Sequence, residues 1–161
     1  LRIVRWGGKE SNLVTAGDTE VVVWAADNGS NGFQAAHKVM YTTSSTRSTR
    51  GPATAVACDP NSAALVLVAG GGAVMCMDVR VKQEVFRISK VHAGAVIRDL
   101  DFSPSRPTIV ASAGEDGVIR QMDLRKPSEA LSVSLSLSPA HLGGAYSCRY
   151  CPASDRVLVS G

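Results

Sequence analysis

The chain has 161 residues, 45% of them apolar and 19% charged, enough for one ordinary core, and its 15 glycines suit a turn-rich β protein. Its 17 basic and 14 acidic residues leave +3, too small and too scattered to argue for nucleic acid or a membrane surface. No apolar run approaches the roughly 18 residues of a membrane span, and nothing at the start resembles a secretion signal.

The first 25 residues give three runs that alternate apolar and polar positions, LRIVRW, NLVTAG and EVVVW, with Asp18 in the turn between the second and third. Such period-two runs are the mark of half-buried antiparallel strands. AADNGSNGFQ predicts a loop and KVMYTT a fourth strand. Residues 42–52, TTSSTRSTRGP, hold nothing apolar to bury and predict a mobile surface loop, with Ser48 between Arg47 and Arg50.

A second unit follows: ATAVACDP, ALVLVAGG, AVMCMDVR and EVFRIS. Its Gly70-Gly71-Gly72 lacks the Lys-Ser/Thr of a phosphate-binding loop, and no helix follows, so a hairpin turn is predicted. The stretch from His92 to Arg125 is the most completely punctuated: a His-Ala-Gly turn, IRDLDF up to Ser103-Pro104, TIVASA, a Glu-Asp-Gly turn, then VIRQMDLR before Lys126-Pro127. ALSVSLSL at 130–137 supplies its fourth strand. The last unit opens at AHLGGAYSCRYCP and breaks off after one more strand. The chain begins without Met inside an apparent strand and stops inside another, so a piece of a longer protein is expected.

Spacing ties the units together. Trp6, Cys58, Phe102 and Tyr150 close the first strand of each unit at intervals of 52, 44 and 48 residues. Trp24, Met77 and Met122 close the third strand, 18, 19 and 20 residues after those markers. Tight offsets inside units with looser gaps between them mean a repeated four-stranded module, the pattern of a β-propeller. The expectation is one all-β domain over 1–161, a partial propeller of about four blades at about 1–43, 53–90, 91–138 and 139–161.

Cys148 and Cys151 form a CxxC, but one pair without histidines at ligand spacing is not a zinc site, and the four cysteines read as buried free thiols. No metal and no cofactor is predicted. His92, Ser112 and Asp116 combine the residue types of a hydrolase triad. An oxyanion hole usually needs a helix N-terminus or a nest, and no helix is predicted.

The units resemble WD-repeat blades, and that resemblance implies a different role for the three residues. Blades of that family carry a His before the first strand, a Ser or Thr on the second and an Asp in the next turn, linked to a Trp on the third strand. His92, Ser112 and Asp116 fall at those positions, while the Trp survives only as Trp24, with Met77 and Met122 in its place elsewhere. A thioether cannot donate the indole N–H bond. The Asp that follows remains as Asp78 and Asp123. The resemblance thus implies a structural network of His92, Ser112, Asp116, Asp123 and Trp24, no catalysis, and, since such propellers most often have seven blades, a fragment of a larger ring.

HAGAVIRDLDFSP, ASAGEDGVIRQMDLRKP and AHLGGAYSCRYCP are most similar to the WD-repeat family that interacts with the EARP and GARP vesicle-tethering complexes, over roughly residues 65–161. This implies a protein-binding adaptor with no nucleic-acid partner, cytoplasmic and peripheral at endosomal or trans-Golgi membranes. Asp78-Val79-Arg80 and Asp123-Leu124-Arg125 resemble the ending by which some WD proteins bind the adaptor of cullin-4 ubiquitin ligases. Peroxisomal targeting-signal-2 receptors and histone-binding WD proteins have related units. Arg80, Arg125 and Arg98 are therefore the candidate partner-binding residues, against the plainer reading that each arginine pairs with a neighbouring acid.

Overall fold

The computed structural model describes residues 3–7, 12–27, 32–41, 52–62, 64–126, 136–137 and 140–161, which form strands and turns with no helix among them. Four strands make the first sheet: β1 (Ile3–Gly7), β2 (Asn12–Ala16), β3 (Glu20–Asp27) and β4 (Gly32–Met40). The second holds β5 (Ala53–Cys58), β6 (Leu65–Gly70), β7 (Ala73–Asp78) and β8 (Gln83–Ser89). The third holds β9 (Ile97–Phe102), β10 (Ile109–Gly114), β11 (Ile119–Asp123) and β12 (Ser136–Leu137). A pair follows, β13 (Cys148–Cys151) and β14 (Ser154–Ser160). Each sheet is an antiparallel meander in chain order. The first strands of successive sheets lie side by side, β1 on β5, β5 on β9 and β9 on β13, which makes the molecule an all-β partial propeller.

The faces of the sheets explain the apolar content. In the second sheet Val66, Val68, Met75 and Met77 pack toward the first sheet with Val14, Val21 and Val23. Leu67, Ala69, Val74 and Cys76 alternate with them and pack toward Leu100, Phe102, Val110 and Met122 of the third. Middle strands are covered on both faces, so β6 and β7 read as nearly continuous apolar runs. Ala111, Ala113 and Ile119 then meet Cys148 and Tyr150 at the third seam. Met77 and Met122, in the Trp slot, are fully buried in these seams, where an unbranched thioether fills irregular space.

Turns and connectors lock the blades at one end. Gly17, in the β2–β3 turn, accepts hydrogen bonds from Tyr41 Oη at 2.6 Å and Ala53 N at 3.4 Å. The β6–β7 turn has Gly71 and Gly72 at φ 59° and 75°, the left-handed pair that a type I′ hairpin requires, and it rests on the Gly94 backbone. Gly117 O, in the β10–β11 turn, accepts from Ala140 N and His141 N at 3.1 and 3.2 Å.

AADNGSNGFQ is not a loop throughout: Ala25 pairs with Gln34, Ala26 with Phe33 and Asp27 with Gly32, so β4 starts well before the predicted KVMYTT. Hairpin pairing carried outward from the strongly apolar VVVW overrides the poor strand propensity of these residues. Only Ser136 and Leu137 of the predicted 130–137 strand are described, and the predicted loop at 42–52 lies outside the described residues except for Pro52.

Candidate functional site

His92 sits in the turn before β9, Ser112 in the middle of β10 and Asp116 in the β10–β11 turn; antiparallel pairing brings the three together. His92 Nδ1 lies 2.8 Å from Asp116 Oδ1, and Nε2 lies 2.9 Å from Ser112 Oγ. The carboxylate can only accept, so Nδ1–H donates to it and the unprotonated Nε2 accepts from the Ser112 hydroxyl. The hydroxyl has one proton, and the 3.5 Å approach to Arg120 O is the poorer alternative. Asp116 also accepts from Arg120 at 2.7 Å and from Val118 N at 3.2 Å. Arg120 therefore brings a donor into a blade whose Trp slot holds Met122.

His92 and Ser112 have 0% exposure. The triad-like distances are present, yet the hydroxyl faces no solvent and a substrate would have to open the sheet to reach it. Burial lowers the His92 pKa; the Asp116 carboxylate opposes that and Arg120 adds to it. Burial pushes the Asp116 carboxyl up, but hydrogen bonds from Arg120 and His92 overcome this and hold it below the usual range.

A pH dependence follows from the His92 shift. The unfolded histidine, near pKa 6.5, binds a proton that the folded one refuses. Stability from the neutral buried ring is complete above that pH and falls as pH drops from about 6.5 toward the lower folded value. In urea titrations, wild-type stability should fall with pH below about 6.5 by up to about 1.4 kcal/mol per unit relative to His92→Gln. Parallel pH profiles for the two proteins would refute the assignment.

Trp24 and Asp123 stand apart from this cluster. Trp24 lies in the first sheet, where its Nε1–H donates to Thr15 Oγ at 2.9 Å. Thr15, Val68, Ser112 and Ser160 occupy one register position in the four sheets, so the first sheet keeps one half of the link and the third sheet the other. Asp123 is at the far end of β11 from Asp116, and its carboxylate takes Arg125 Nε at 2.9 Å and Arg125 N at 3.0 Å. Those bonds bring its pKa down to about 2. Asp78 repeats the arrangement with Arg80 Nη2 at 2.9 Å and Arg80 N at 2.9 Å. Each Asp-x-Arg is thus a self-closed turn. At the opposite end of the sheet Arg98 pairs with Glu115 and lies 5.6 Å from the centre of the exposed Tyr146 ring.

Two groups with no role legible in the sequence are prominent in the structure. His141 Nε2 lies 2.9 Å from Ser160 Oγ, a second His–Ser link at a separation of 19 residues against 20 for His92 and Ser112; that spacing was the available signal. Asp99, buried at 3% exposure, accepts from Arg5 at 2.9 Å, Leu100 N at 3.0 Å, Cys148 N at 3.1 Å, Ser147 Oγ at 3.2 Å and also Arg149. It joins the first strands of the first, third and fourth sheets. Asp101, two residues on, accepts from Tyr150 N at 2.8 Å, and burial raises its pKa against that bond. The RDLDF run shows two acids spaced for one strand face, but not what they meet. Cys148 is buried and Cys151 half-buried, and burial pushes the Cys148 thiol up; among the described residues no cluster of three His, Cys, Asp or Glu could hold a metal.

No protein-family model matches the chain. It is 35% identical over 94 residues to the EARP-interacting protein 1 of Caenorhabditis elegans, covering 58% of this chain and 25% of that protein. It is 29% identical over 84 residues to the EARP and GARP complex-interacting protein 1 of Rattus norvegicus, covering 52% of this chain and 20% of that one. The match thus spans a quarter or less of these relatives. In three dimensions 98% of the chain superposes on 43% of a chain in the crystal structure of the mitotic checkpoint complex, with a TM-score of 0.73 and 17% identity, a likeness of fold alone.

Proposed function

We propose that this chain is part of a non-enzymatic interaction scaffold that binds subunits of EARP- and GARP-type vesicle-tethering complexes, in the cytoplasm at the surface of endosomal and trans-Golgi membranes. The observation that carries the reading is the similarity to proteins named for that interaction, 35% over 94 residues in one case. A rigid sheet scaffold suits recognition because its loops are ordered before the partner arrives. The complete burial of Ser112 and His92 supports a bracing role for the His-Ser-Asp set over a hydrolytic one. The ubiquitin-ligase reading has only the Asp-x-Arg endings behind it, and the Trp that usually precedes them is Met77 or Met122 here.

Affinity purification of the intact, tagged protein from its own cells should recover tethering-complex subunits; their consistent absence would overturn the reading. Ser112→Ala separates brace from nucleophile. It should lower Tm by about 2–6 °C, the effect of losing one buried hydrogen bond, with no change in turnover of activated esters. Esterase activity abolished by that substitution would make the protein a hydrolase.

A further inference from the structure

The three seams between sheets are built alike, which makes a difference between two of them informative. At the seam between the second and third sheets, Leu65, Phe86 and Leu124 pack against the core as an apolar plug. Their counterparts one sheet earlier are fixed by register. Asn12 opens β2 as Leu65 opens β6. His37 faces Val23 beside a bulge in β4, as Phe86 faces Cys76 beside a bulge in β8. Val79 N bonds Ala64 O at 2.8 Å as Leu124 N bonds Thr108 O at 2.8 Å. The plug Leu, Phe, Leu thus becomes Asn12, His37 and Val79, and a cleft of about 390 Å³ opens there, lined also by Asn61, Ser62 and Arg80.

We propose that this cleft receives the carboxylate side chain of an acidic peptide segment from a protein partner, an inference that rests on the scaffold reading above. Among the described residues, the ionisable side chains that line it are His37 and Arg80, with no acid beside them in the lining. The Asp78 carboxylate is engaged by Nε and Nη2 of Arg80, which leaves Nη1 without a hydrogen bond among the described residues. The His37 imidazole has none there either. Ser62 Oγ accepts from Ala64 N at 3.1 Å, so its O–H is left to donate. The Arg80 guanidinium edge, the His37 imidazole, the Ser62 hydroxyl and the Asn61 amide line one space, and a carboxylate has acceptor sites for them all. The bulge at Ala36 is the backbone device that aims His37 at it.

The probe is a diazirine-labelled Ac-Ala-Glu-Ala-NH2, photocrosslinked to the intact protein and mapped by mass spectrometry. Crosslinks should fall on residues 61–62 and 79–80, be about tenfold fewer with the Gln analogue, and survive inorganic phosphate. The double variant Asn12→Leu/His37→Phe restores the plug of the neighbouring seam. It should lose the crosslinks while keeping a single cooperative urea transition with an unchanged slope, which separates a filled cleft from a misfolded one. Equal labelling by the Gln analogue, full competition by phosphate, or crosslinks that persist in the plugged variant would overturn the proposal. Recovery of tethering subunits is measured separately, so an unlabelled cleft in a protein that still recovers them sinks only the cleft.

Discussion

Gly114→Ala should be among the most destabilising single-methyl additions in this protein. Gly114 closes β10, and a Cβ built on it would lie 2.2 Å from His92 Nδ1, 2.6 Å from His92 Cγ and 2.7 Å from Asp116 Oδ1. Its φ is not in the left-handed region, so alanine meets no backbone penalty and the cost is one of space. The imidazole has no exposed surface and no room to retreat. Overpacking of about 1–3 kcal/mol adds to the loss of a buried hydrogen bond, which leaves the Ser112 hydroxyl unsatisfied, for a total of about 3–5 kcal/mol. Urea unfolding should show the lower midpoint with an unchanged slope. In a His92→Ala background both imidazole clashes are gone and only the end of the Asp116 side chain must turn aside, so the added cost should fall below about 1 kcal/mol. That non-additivity is the discriminating result. A full, additive penalty in the double variant would mean that Gly114 is required for another reason.

This pair also shows what could be read from the sequence and what could not. The sheet architecture was legible because Trp6, Cys58, Phe102 and Tyr150 recur with third-strand markers at nearly fixed offsets, and one unit carried unambiguous turn residues. His92, Ser112 and Asp116 stand out by residue type and by their match to the positions of a WD-repeat blade, and antiparallel pairing then leaves them little freedom but to meet. The WD-repeat resemblance groups Trp24 and Asp123 with them, but Trp24 lies in the first sheet and Asp123 at the far end of β11 from Asp116, a strand placing its two ends roughly 15 Å apart. Arg120 was not legible as a donor, because nothing local says that an arginine two residues before Met122 turns back to the Asp116 turn. The β4 start was misplaced for a similar reason: Ala-Ala-Asp and Gly-Phe-Gln look like loop until the partner strand is known.

Asp99 lies furthest beyond sequence reasoning, since all its partners but Leu100 N are 94 residues before it or 48 to 50 after it. One carboxylate oxygen serves Arg5 and Leu100 N, while the other serves Ser147, Cys148 N and Arg149. The arginine side chains are 38% and 39% exposed, so each regains water when the carboxylate is removed, and the ion pairs alone are worth little. The buried backbone N–H groups have no such recourse: Cys148 is 0% exposed and Leu100 1%. Each unsatisfied donor costs about 1–3 kcal/mol, which sets the expected loss for Asp99→Ala at about 3–5 kcal/mol. Asp99→Asn keeps one acceptor oxygen and should cost roughly half as much, whereas Arg5→Met and Arg149→Met should each cost about 1 kcal/mol or less. This ordering, with Ala well above Asn and Asn above either arginine, identifies the carboxylate as an anchor for backbone more than as a counter-ion. The urea midpoints of the four variants decide it. Arginine replacements as damaging as Asp99→Ala would place the stability in the ion pairs, and an alanine variant within about 1 kcal/mol of wild type would remove Asp99 from the account of what holds the inner strands together.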